Sequence, residues 1–204
     1  MIGDGKILKE SISLKRSLKL LKLSLFTSIF LLFSPISISA AEHSSIGEMH
    51  PPVIAKLGQS RAVVLFLKNN YKDEGNGFFV GAEVFYMAST ASKPVLKYVW
   101  KVRAEQIISV FFYDWKSAPR LGRSMYVLTK SRLSNSAFEG VSFSTMEFSL
   151  VEEKGELKIM FFPKDLQEPA LQNCLEGQDL LEAKKKVCKY QDSESVKNYF
   201  RSLH

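Results

Sequence analysis

Two runs of alternating side chains, residues 141–151 and 156–162, place the strongest restriction on the fold. Met146, Phe148 and Leu150 share one face of the first run, and Leu157, Ile159 and Phe161 share one face of the second. A two-residue period turns successive side chains to opposite faces of an extended chain, so each run reads as a half-buried strand. Residues 152–155 (EEKG) form a short polar turn between them, and so short a connection permits only antiparallel pairing. The same period recurs in 95–103, where Leu96, Tyr98, Trp100 and Val102 share a face. Segments 78–87, 107–115 and 125–130 are β-branched or aromatic runs bounded by turn residues, and also read as strands.

Either side of this region the pattern changes. In 53–71 the apolar positions Val53, Leu57, Val64, Leu67 and Tyr71 fall near helical spacing, which predicts an N-terminal helix with Ser60 as N-cap for 61–70. The unbroken run 62–67 also suits a buried strand. Beyond Pro163 the chain from Ala170 is charged and helix-permissive, with breaks expected at Gly177 and around Asp192 and Ser193. Lys184, Lys185 and Lys186 then read as a solvated helix face. The expectation is an α+β domain: an antiparallel β-meander of five or six strands, an N-terminal helix and a disulfide-stapled helical C-terminus. The alternative is an all-β sandwich or barrel with a helical tail.

The first 41 residues read as a signal peptide. Six basic residues against two acidic ones precede an uncharged run, 23–33, which Ser34 and Pro35 break. Ser39 and Ala41 then supply the small-x-small pattern for cleavage after Ala41. A spanning helix needs about 20 apolar residues, and this run is roughly half that. Without the leader, 22 basic residues face 19 acidic ones, so the net charge falls from +7 to +3. Most of the reason to expect a nucleic-acid partner goes with it. Residues 42–52, polar and ending in two prolines, read as a flexible lead-in to a single domain, 53–204.

Cys174 and Cys188 are the only cysteines, and in an oxidising compartment such a pair most simply forms a disulfide. One straight helix would hold them about 21 Å apart, so a bond requires the chain to double back, with Gly177 as the expected bend. The expected location is periplasmic or secreted, with no stable membrane anchor after cleavage.

Few catalytic chemistries fit. The histidines, His43, His50 and His204, all lie outside the expected core, where no imidazole is held between a nucleophile and an orienting acid. Zinc-binding, Walker, Rossmann and G-x-S-x-G patterns are missing, and no cofactor or metal is implied. The strand-region carboxylates Glu83, Glu105, Asp114, Glu139 and Glu147 leave open a pair converging across one cleft. The most informative segment is 111–123, a strand end entering a Pro/Gly loop with Tyr113, Trp115, Lys116, Arg120 and Arg123. Tyr, Trp and Arg are enriched at binding hot spots, and loops on rigid sheets often carry recognition.

These features favour an exported, non-catalytic binding module, of inhibitor or immunity type, whose partner is another protein or an envelope polymer. The alternatives are a cell-envelope hydrolase working through carboxylates such as Glu83 and Asp114, and an envelope assembly factor.

Overall fold

Residues 62–67 show how the N-terminal half is built. Ala62, Val64 and Phe66 are fully buried while Val63, Leu65 and Leu67 are half-buried, so the run alternates with the period of a strand. The computed structural model describes residues 47–72, 78–89, 94–116, 120 and 122–203; the leader and most of the lead-in lie outside them. The expected N-terminal helix is replaced by two strands, β1 (Glu48–Leu57) and β2 (Ser60–Lys72). Gly58, at φ 57°, and Gln59 turn one into the other. The helical reading fails because the outer face of β2 is itself half-covered, so apolar residues occur on both faces and mimic a wider stripe. β1 begins inside the segment expected to be a flexible lead-in. It accommodates Pro51 and Pro52 because it is an edge strand with a register shift between His50 and Val53.

The chain continues as a meander: β3 (Phe78–Ala88), β4 (Lys97–Arg103), β5 (Gln106–Trp115), β6 (Gly122–Ser134), β7 (Phe138–Glu153) and β8 (Glu156–Phe161). Strands β1-β2-β3-β4 form one antiparallel sheet, and β5, β6, β7 and β8 belong to a second. Lys154 and Gly155 both adopt positive φ and make the tight β7–β8 turn expected from the sequence. Ser60 Oγ donates to the Gly155 carbonyl at 3.1 Å, which ties the two hairpin turns together.

The inner faces of both sheets meet in one core. Phe66, Val84 and Val102 from the first sheet pack with Met125, Phe148 and Leu157 from the second, all essentially inaccessible. Burying each such side chain stabilises the fold by about 1.5–3 kcal/mol. The sheets also approach along β4 and β8, where Lys97 pairs with Glu156 at 3.1 Å. The architecture is thus the two-sheet alternative rather than a sheet flanked by helices.

The C-terminal segment is helical only at its end, and two strands precede the helix. β9 (Cys174–Asp179) pairs with β7, and β10 (Lys184–Lys186) pairs with β9 as the sheet's edge. The three lysines lie on this edge strand, not on a helix. A disulfide joins Cys174 to Cys188 with Cα atoms 5.3 Å apart. The chain doubles back at residues 180–183; Gly177 instead lies opposite Gly140, where the two backbones approach too closely for a Cβ. A single helix, α1 (Ser193–Arg201), ends the described chain. Asp192 caps it by accepting from the Ser195 N–H at 2.7 Å. Its buried face, Val196 and Phe200, packs on the outer side of the second sheet against Phe111, Trp115, Tyr126, Leu128 and Leu171. No helix among the described residues is long and apolar enough to cross a membrane.

Candidate functional site

The helix α1 decides the fate of the residues singled out in 111–123. Tyr113 and Trp115 share a face of β5, and each ring centroid lies 5.0 Å from Phe200. Trp115 is only 6 % exposed, and its Nε1–H donates to the Tyr126 hydroxyl at 2.7 Å. Arg120 reaches inward: Nε donates to Glu147 Oε2 at 3.0 Å, a second nitrogen lies 3.6 Å from Glu168, and a third donates to the Leu166 carbonyl. Its guanidinium lies over Trp115 and Phe162. Arg123 pairs with Asp114 at 3.5 Å and lies over Phe112, while Lys116 is exposed. Tyr113, Trp115 and Arg120 are therefore brought together, but beneath the helix; an exposed Trp115–Arg120 face is not present.

Around Arg120 the polar groups satisfy one another. Glu147, almost fully buried, accepts from Ser124 Oγ at 2.7 Å as well as from Arg120, and the Tyr126 hydroxyl lies nearby. Burial pushes the Glu147 carboxyl above the ordinary carboxylate range, and these donors and the Arg120 charge only partly offset it. Burial also raises the Tyr126 hydroxyl, as does the neighbouring Glu147. Tyr199 donates to Glu168 at 2.8 Å and is pushed up to about 12, chiefly by burial. This arrangement fastens α1 and the chain around residue 166 to the second sheet.

The open site lies elsewhere, beside a gap in the edge of β7. β9 pairs with residues 138–143 of β7 and β8 with residues 148–153, so on the edge away from β6 no described strand lies along 144–147. The connection from β8 to β9 closes the gap with two 3₁₀ turns, Lys164–Leu166 and Pro169–Leu171. Phe162 N donates to the Glu147 carbonyl at 3.0 Å, and Gln167 Oε1 accepts from Glu147 N at 3.4 Å. Gln172 Nε2 donates to the Thr145 carbonyl at 2.6 Å. The side-chain amides thus replace the bonds a neighbouring strand would make.

Between this patch and β4, the last strand of the first sheet, lies a cleft of about 630 Å³. One wall carries Tyr98, Trp100, Lys101 and Arg103; the other is formed by Met146, Phe161, Gln167, Gln172 and Asn173. Trp100 stacks on Phe161 with ring centroids 4.1 Å apart and planes within 2°, yet remains 42 % exposed. Tyr98 is 55 % exposed. Lys101 Nζ sits 3.9 Å from the Tyr71 ring centroid, and the Arg103 guanidinium lies over Phe79. Both cations are thereby supported by aromatic faces. Among the described residues lining the cleft are these two cations, whose charged groups rest over Tyr71 and Phe79 of the first sheet, and no carboxylate.

Alternation in the sequence put Tyr98 and Trp100 on one face, but a register shift between Val84 and Phe85 separates them. Tyr98 meets Phe85 edge-on while Trp100 turns to Phe161 on the other sheet. The usable sequence signal was two large aromatics among lysines on a short strand.

Three of the five strand-region carboxylates stand apart from one another. Glu83 accepts from Asn69, Asp114 pairs with Arg123, and Glu147 is buried. Glu105 and Glu139 both line a smaller cleft of about 310 Å³ with Lys130 and Arg132. Glu105 already accepts from the Arg132 N–H at 3.1 Å. Among the described residues no cluster of His, Cys, Asp or Glu could hold a metal ion. His50 packs edge-on against Phe66, and His43 and His204 lie outside the described residues. Comparison with protein-family models, curated proteins and solved structures finds no match to this chain.

Proposed function

We propose that this chain is an exported, non-catalytic binding module whose larger cleft holds an acidic polysaccharide of the cell envelope. The observation that carries the reading is the exposed Trp100 ring, braced by Phe161, in a cleft whose described lining includes Lys101 and Arg103 and no carboxylate. A flat aromatic ring suits the C–H face of a sugar, and the amides of Gln172 and Asn173 suit its hydroxyls. Lys101 and Arg103 suit its carboxylates. The leader pattern and the Cys174–Cys188 disulfide support export.

The test is calorimetric titration with a uronic-acid oligosaccharide and with its carboxyl-reduced counterpart. Binding should require the carboxylates, and Trp100→Ala should weaken it by about tenfold, with near-UV circular dichroism checking that the fold survives loss of the Trp100–Phe161 stack. Equal affinity of the wild type and Trp100→Ala, or no binding at all, would sink the proposal. A second reading, a hydrolase working through paired carboxylates, draws on Glu105 and Glu139 in the smaller cleft. It requires glycan cleavage that the Glu105→Gln and Glu139→Gln double variant abolishes.

A further inference from the structure

The β9–β10 hairpin exposes apolar side chains at a tip that the fold holds rigid. Asp179 Oδ1 accepts from the backbone N–H of Leu181 at 3.1 Å and of Glu182 at 3.0 Å, fixing the turn 180–183. Leu180 N donates to the Ala137 carbonyl at 2.8 Å, which pins the turn to the loop before β7. The Cys174–Cys188 bond closes the base. At this turn Leu181 is 78 % exposed and Leu180 47 %, while Val187, 65 % exposed, stands at the base beside Cys188.

Lysines surround them. Lys184, Lys185 and Lys189 are exposed, and Lys186 is partly so. Of the hairpin's acidic side chains, Asp179 pairs with Lys186 and Glu182 with Lys184 and Lys186, while Glu176 accepts from Gln191. Lysines on an edge strand are a usual defence against unwanted strand pairing. That defence does not call for two exposed leucines at the turn. An exposed apolar turn among cations is the chemistry that enters the headgroup region of an anionic bilayer.

We propose that this hairpin is a peripheral docking element for membranes rich in anionic phospholipid, with Leu181 entering the interface and Lys185 and Lys189 facing the phosphates. The attachment is reversible and screened by salt. It is independent of the cleft and of what the cleft holds.

The test is flotation of the protein, in the form the cell accumulates, with vesicles of phosphatidylcholine alone or mixed with phosphatidylglycerol. The wild type should float with the mixed vesicles and not with phosphatidylcholine. Leu181→Asp should lower partitioning by about tenfold or more. The Lys185→Glu and Lys189→Glu double variant should lower it by a comparable factor. Any contribution from a retained leader would be equal in all three proteins. Near-UV circular dichroism confirms that the variants keep the native packing, since both alter exposed positions. Failure of the wild type to float, or undiminished flotation of Leu181→Asp, would overturn the proposal.

Discussion

Arg120 shows how much one side chain can tie together. It satisfies the buried Glu147, the Leu166 carbonyl and Glu168 while lying over Trp115. Arg120→Ala leaves Glu147 buried without its cation, so the urea midpoint at neutral pH should report a loss of about 3–5 kcal/mol. The loss should shrink in acid, where Glu147 can take up a proton instead. The native value of Glu147 lies above that of the unfolded chain, so the native state binds the proton more readily. The stability this group contributes is full below the ordinary carboxylate range and falls as pH rises through the native value. Urea midpoints taken from about pH 4.5 upward should show that slope in the wild type, and Glu147→Gln should flatten it. From the sequence alone Arg120 looked like a surface cation in a loop. Its acceptor Glu147 lies 27 positions away, and no local pattern announces such a pairing.

Among the elements, legibility follows the range of the contacts that define each one. The β7–β8 hairpin could be read directly because its alternation and its turn lie within one short segment. β2 was legible only in part: the run 62–67 suits a strand, but its half-covered outer face hides the period. The β9–β10 hairpin was hidden for a different reason: its charged residues favour a helix locally, but pairing with β7 overrides that preference. Gly140 and Gly177 make the pairing possible. A Cβ on Gly177 would stand 2.2 Å from the Glu139 carbonyl oxygen, at a φ of 151°. Gly177→Ala should therefore cost about 1–3 kcal/mol, with amide exchange accelerated in β9 and β10 before the rest of the sheet.

At the scale of the whole molecule, two sheets share one core and a helix covers the outer face of one of them. The cleft exists because β7 is longer than either strand beside it, a relation between segments that no single window of sequence contains. Trp100 and Phe161 belong to different sheets and meet only when the sandwich closes. The export proposal also belongs to this scale. Mass spectrometry of the protein recovered from its native cells should place the first residue at Glu42, and recovery of the uncut chain from the cytosol would refute export.

The bond between Cys174 and Cys188 also determines how the molecule bears load. It bypasses the finger that carries Leu181, so tension applied at the C-terminus passes from the entry of α1 across the sulfurs to the start of β9. The bypassed chain, with its separation of 14, is withheld from extension, which shortens the stretched length by roughly 45 Å relative to the reduced protein. A protein tethered at that end would stretch without unravelling its fingertip.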